Sequence, residues 1–147
     1  MRRTFQILLL SLLAVTSVSA LAASVPKLSR KQRVELENTQ TKYESTMRWG
    51  TAEDALPYLD PEYTREHPLT DLELRRYEQV KISSYRAGEN VNLPDGTVGR
   101  TAAVRVINNN TQSERQVTVK ELWRWDPEDK RWLQANGLPD LWQDQDR

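Results

Sequence analysis

Glu121 is the residue in this sequence best placed for acid–base chemistry. It falls in an alternating stretch, Val117, Val119, Glu121, Trp123 and Trp125, that sets one carboxyl among four apolar side chains on a single strand face. A carboxyl walled in by apolar groups is poised as a general base, because desolvation favours its neutral form. Ser84 and Arg86 continue the face begun by Val80 and Ile82 and would meet Glu121 in a shared pocket. The competing reading puts Glu121 toward a sheet end, paired with Arg86 or Arg105 and partly wet. His67 is the second acid–base candidate. It precedes Pro68 in the charged turn Thr64-Arg65-Glu66-His67-Pro68, and as a base it needs a positioned partner, with Asp60 and Asp71 near only in sequence. Without one it is an exposed loop histidine. Tyr58 and Tyr63 either pack helices onto a sheet or turn a hydroxyl into a pocket. Trp123, Trp125 and Trp132 form either a ligand-stacking surface or a cross-strand core.

Other chemistries lack their residues. There is no cysteine, which excludes disulfides, thiol catalysis and thiolate metal sites. The single histidine belongs to no cluster with metal-ligand spacing, and neither a nucleophile elbow, a phosphate loop nor a dinucleotide glycine motif occurs, so no metal or cofactor is implied. Lys and Arg number 21 against 21 Asp and Glu, which excludes a protein that holds nucleic acid mainly by charge. Asn109-Asn110-Thr111 matches a glycosylation acceptor, relevant in a eukaryotic secretory pathway.

The elements that must position these side chains follow an N-terminal address. Arg2 and Arg3 precede an apolar run from Ile7 to Val18, and Ala20-Leu21-Ala22 supplies a signal-peptidase pattern with cleavage after Ala22, Val18-Ser19-Ala20 being a second pattern. Residues 1–22 thus read as a signal peptide, and the protein as periplasmic or secreted. The alternative is an uncleaved anchor, although the run is shorter than the roughly 20 residues that span a bilayer. No later stretch is apolar enough to span. Cleavage leaves 125 residues of charge −2, holding all five Trp and all five Tyr.

Residues 23–29 are a flexible lead-in, residues 30–142 one domain and residues 143–147 a frayed tail. Arg30 to Trp49 reads as a long amphipathic helix capped by Ser29, with Val34, Leu36, Tyr43, Met47 and Trp49 as its stripe and Gly50 as its stop. Thr51 to Asp54 resembles a capping box for a second helix that Pro57 must kink or shorten. Asp60-Pro61 opens a third, and Thr70 to Glu73 a fourth that runs to about Tyr77. The period then turns to alternation. Strands from Val80 to Arg86, Thr101 to Ile107, Arg115 to Trp125 and Arg131 to Ala135 are divided by a turn at Leu93 to Gly96, an Asn108 to Asn110 tip and a turn at Asp126 to Asp129. Helices first and an antiparallel meander after them make an α+β domain, with N-terminal helices on a curved antiparallel sheet.

This order resembles the NTF2-like (cystatin-like cone, SnoaL-like) superfamily. The resemblance rests on a long first helix ending in Trp49-Gly50 and the string Tyr58-Leu59-Asp60-Pro61-Glu62-Tyr63. It continues in three long strands and a late hairpin, Leu122-Trp123-Arg124-Trp125-Asp126 to Lys130-Arg131-Trp132. It covers nearly all of residues 28–142, and Pro57 departs from it. It implies a cone enclosing a pocket, but no single activity, since members include isomerases, dehydratases, ligand binders and assembly modules. Three expectations follow. The first is an exported domain that binds a small molecule or a protein without catalysis, with a homodimer through the outer sheet face of Thr118, Lys120, Leu122 and Arg124. The second is a ketosteroid-isomerase-like enzyme with Glu121 as base and a tyrosine hydroxyl as acid. The third is an accessory subunit of an envelope or secretion complex.

Overall fold

The computed structural model describes residues 24–143; the expected signal peptide and residues 144–147 lie outside the described residues. Four short-range caps set the helical half. Ser29 accepts from the Gln32 amide while the Gln32 side chain accepts from the Ser29 amide, so α1 (Arg30–Trp49) begins with a closed capping box. Thr51 with Asp54 does the same for α2 (Ala52–Ala55), and Thr70 with Glu73 for α4 (Asp71–Tyr77). Asp60 caps α3 (Pro61–Glu66), where Pro61 fills a first-turn position that needs no amide hydrogen. Pro57 shortens the second helix: after one turn the chain tightens into a 3-10 turn, Leu56–Tyr58.

Five antiparallel strands follow: β1 (Val80–Ala87), β2 (Val91–Asn92), β3 (Val98–Asn108), β4 (Glu114–Asp126) and β5 (Arg131–Gln134). They pair in the order β1-β3-β4-β5, with β2 added to the start of β3, and the sheet curls strongly around the helices. This is the α+β architecture that the sequence predicts. No helix among the described residues is long and apolar enough to cross a membrane.

The inner face carries two apolar clusters. Leu36 and Tyr43 of α1 and Ala55 of α2 pack on Val98, Trp123 and Trp132. Ile82, Tyr85, Ala102, Val104, Val106, Val117 and Val119 form the other, closed by Leu141 and Trp142 from the segment after β5. The helix stripe is narrower than its apolar residues suggest, because Val34 is exposed and Trp49 is 76% exposed, while Gln40 takes a buried place by exchanging two hydrogen bonds with Asn90 at 2.8 and 3.0 Å. Leu28 of the lead-in packs half-buried against the helix cluster.

Three local expectations change. The register between β1 and β3 slips between Ile82 and Ser84, so beyond the bulge Tyr85 faces inward and Ser84 and Arg86 face outward. At the β3–β4 tip the positive φ belongs to Gln112, at 57°, and not to an asparagine. The Asn108 side chain instead accepts from the Asn110 and Thr111 amides. Asn109 donates its side-chain amide to the Glu78 carbonyl at 2.8 Å, which occupies the acceptor nitrogen of the glycosylation pattern in the folded protein.

Candidate functional site

Glu121 and Arg100 face each other directly across β4 and β3 on the inner face. Arg100 meets the carboxylate with two donors, Nε to Oε2 at 2.7 Å and Nη2 to Oε1 at 3.2 Å. The Trp123 indole, two residues along the same strand face, donates to Oε2 at 2.7 Å, and the Tyr85 hydroxyl donates to Oε1. Arg100 also reaches out of the sheet to Glu44 of α1, at 2.7 Å. The Glu121 side chain is 1% exposed. A carboxylate offers about four lone-pair sites, and these four donors fill them. Glu121 is therefore an ion-paired carboxylate inside a filled cone, with Arg100 as its partner in place of the expected Arg86 or Arg105. Arg105 points outward and sits 3.6 Å from Glu114.

The neighbours are arranged as donors. Burial pushes the Tyr85 hydroxyl well above its ordinary pKa, and the Glu121 charge pushes it further. Tyr43 is raised for the same reasons in the same order. Burial disfavours charge on Arg100, but hydrogen bonding to Glu121 and the charges of Glu121 and Glu44 outweigh it and raise its pKa. Both phenols thus keep their protons near neutral pH, Tyr85 spending its proton on Glu121. The Tyr43 hydroxyl is buried and has no partner, while its ring stands edge-on to Trp123 at 5.4 Å.

The remaining candidates separate. Trp123 has no exposed surface and is core, and Tyr58, half-buried, packs edge-on against Tyr43 at 5.8 Å. Trp125 and Trp132 meet edge to face at 5.5 Å, a cross-strand pair of the kind that stabilises a sheet. Ser84 and Arg86 lie on the opposite face of the sheet from Glu121. The outer-face set is also reduced: Arg124 is held by Asp60 at 2.6 Å and Leu122 is half-buried, leaving Thr118 and Lys120 free. That contact, ahead of the Glu62 amide, holds the Asp60 carboxyl below the usual aspartate range, against the opposing effect of burial.

Tyr63 and His67 come together elsewhere. Tyr63 lies on α3 and His67 caps its C-terminal end four residues on, so their rings share a face and stack at 4.4 Å, 19° from parallel. The His67 ring also approaches the Tyr63 carbonyl through Nδ1 at 3.3 Å; a carbonyl only accepts, so this contact places the proton on Nδ1 and leaves Nε2 outward. On its other side the Tyr63 ring presses on Gly137, whose φ is +78° and where a Cβ would fall 2.5 Å from Tyr63 Cε1. These side chains form one wall of a groove of about 510 Å³ between α3, α4 and the segment after β5. Trp142 forms the other wall, with Arg76 over its face at 4.3 Å and Tyr77 edge-on at 4.9 Å. The Tyr77 hydroxyl donates to the Pro139 carbonyl at 2.8 Å and is raised above its ordinary pKa, first by burial and then by the charge of Asp140. Leu59, Leu69 and Leu138 supply an apolar floor.

No protein-family model fits the chain, and no curated protein matches it.

Arg100, Tyr85 and Glu44 are the site residues that sequence reasoning misses. Arg100 was findable: extending the alternation of β3 back by two residues puts Val98 and Arg100 on the face of Ala102 and Val104. Tyr85 was hidden by the bulge. Among the described residues no group of three or more His, Asp or Glu side chains could hold a metal ion.

Proposed function

We propose that the chain is an exported, non-catalytic binding module of NTF2-like type that takes a small ligand in the groove between α3, α4 and the C-terminal segment. One observation carries the non-catalytic half: the Glu121 carboxylate spends its acceptor capacity on Arg100, Trp123 and Tyr85. An isomerase-like reaction asks that carboxylate for a free lone pair beside a cavity, and these bonds withhold it. The groove supports the binding half. Its volume of about 510 Å³ falls within the usual span of small-molecule sites, and its stacked rings, its leucines and the His67 imidazole and Arg76 guanidinium at its rim offer both apolar and polar contact.

Native mass spectrometry of the protein purified from an envelope fraction tests this reading, since it reports the processed N-terminus and any retained molecule together. The expected result is a chain beginning at Ala23 carrying a small ligand that His67→Ala loses. Turnover of a β,γ-unsaturated ketone that disappears in a folded Glu121→Gln variant would overturn the non-catalytic reading. An intact Met1 would overturn cleavage after Ala22.

A further inference from the structure

The two edges of the sheet are finished differently. At the β1 edge the bulge between Ile82 and Ser84 breaks the strand, and the Arg48 guanidinium reaches the Ser83 carbonyl at 3.5 Å. Both devices blunt an edge against pairing. At the other edge β5 covers β4 only from Trp123 to Asp126. Leu122 then sends its carbonyl to the Ala135 amide and its amide to the Asn136 side chain, and Asn136 donates back to the Lys120 carbonyl at 2.9 Å. There the covering stops.

Because Leu122 turns both backbone groups away from β3, the alternation of the strand turns those of Glu114, Gln116, Thr118 and Lys120 the same way. The β3–β4 register is unbroken throughout, and among the described residues no backbone group reaches this side of Gln116 or Thr118. The stretch contains no Pro, Gly or bulge, and all four side chains are exposed on the outer face. A crevice of about 420 Å³ lies beside its upper end, between Thr118 and Lys120 on one side and Asn136, Pro139, Asp140 and Gln143 on the other.

We propose that this edge pairs with the same edge of a second copy, antiparallel about a two-fold axis at Val117. The order of side chains argues for a second copy over any other strand. In that register Glu114 lies opposite Lys120 of the second copy and Gln116 opposite Thr118, so the sequence acid, amide, hydroxyl, base complements its own reverse. A two-fold interface requires that kind of self-complementarity. The backbone groups of Gln116 and Thr118 would form the ladder, the Lys120 carbonyl being held by Asn136, and opposite charges facing across it fix the register. Glu114 also carries Arg105 at 3.6 Å and the Ser83 hydroxyl, contacts on its own chain that an exposed ion pair with Lys120 must share. Pairing by an edge alone buries less than a standard interface, so the dimer is weak and forms between about 10 µM and about 1 mM.

Sedimentation equilibrium of the mature protein across that range is the test. The expected result is a monomer–dimer equilibrium weakened about tenfold or more by Lys120→Glu or by Glu114→Lys and restored by the two together. Thr118→Pro, which removes an amide hydrogen from the open side only, should abolish the dimer. Slower amide exchange at Gln116 and Thr118 with rising concentration would agree. A monomer at every concentration overturns the proposal. So does a dimer indifferent to the charge swap, which would use another surface, and so does exchange protection already present in the dilute monomer, which would mean that the chain covers its own edge. The outcome is independent of the groove and its ligand.

Discussion

Replacing Arg100 by Met tests the filled cone most directly. The substitution keeps an extended apolar stem but removes both guanidinium donors to Glu121, leaving a carboxylate that is 1% exposed with only the Trp123 and Tyr85 donors. Breaking a buried ion pair by deleting one member costs about 3–5 kcal/mol, since the surviving charge stays desolvated. Glu44 adds little, because its side chain is 27% exposed and can turn to water. For a domain of this size the loss corresponds to a fall in Tm of about 12–20 °C. Urea unfolding followed by tryptophan fluorescence reads it, with an unchanged m-value certifying that the folded and unfolded states are otherwise alike. Changing Glu121 to Met in the same background should recover only part of the loss, since it removes the buried charge but leaves the Tyr85 hydroxyl and the Trp123 indole without their acceptor. A loss below about 1 kcal/mol for Arg100→Met would mean that water reaches Glu121. The acceptor capacity of the carboxylate would then not be spent on Arg100, and the observation that carries the non-catalytic reading would be refuted.

Asp60→Asn keeps the α3 cap but removes the charge that meets Arg124. Because that contact lowers the Asp60 pKa, its stabilisation is complete above the unfolded value near pH 4 and fades as the pH falls through the folded value; the variant should lose roughly 1 kcal/mol or less at pH 7, Arg124 being partly solvated, and progressively less as the pH falls below about 4, as acid titration of stability will show. Gly137→Ala forces a side chain into positive φ and onto the Tyr63 ring, so it should cost about 1–3 kcal/mol in thermal unfolding, part of it recovered with Tyr63→Ala. Tyr85→Phe leaves no cavity but takes a donor from a buried carboxylate, with an expected loss of about 1–3 kcal/mol in urea unfolding.

Much of the fold was legible because its signals are local. Ser29, Thr51, Asp60 and Thr70 each stand immediately before a helix and accept from its first turn, and cap chemistry needs no tertiary partner. The alternation through Val117, Val119, Glu121 and Trp123 correctly places Glu121 on the inner face. What it cannot show is what waits opposite. The fate of that carboxylate depends on the register of β4 against β3 and on a helix residue, Glu44, brought in by packing. The Ile82-Ser83-Ser84-Tyr85 stretch was illegible for a different reason. Two adjacent serines satisfy either face, so one extra residue there reverses every side chain beyond it without leaving a trace in the pattern. The stacking of Tyr63 on His67 was open to helical spacing, but the groove was not, since its other wall comes from Trp142 at the far end of the chain.

The indole of Trp132 donates to the carbonyl of Gln32, in the first turn of α1, across 100 residues of chain. Trp132 and Trp123 also cover Leu36 and Tyr43 of that helix, so the packing that α1 begins on α2 and β1 is completed only when nearly the last of the domain has been made. In the exported protein proposed above, the seating of α1 would be finished by β5 only after almost the whole domain has emerged.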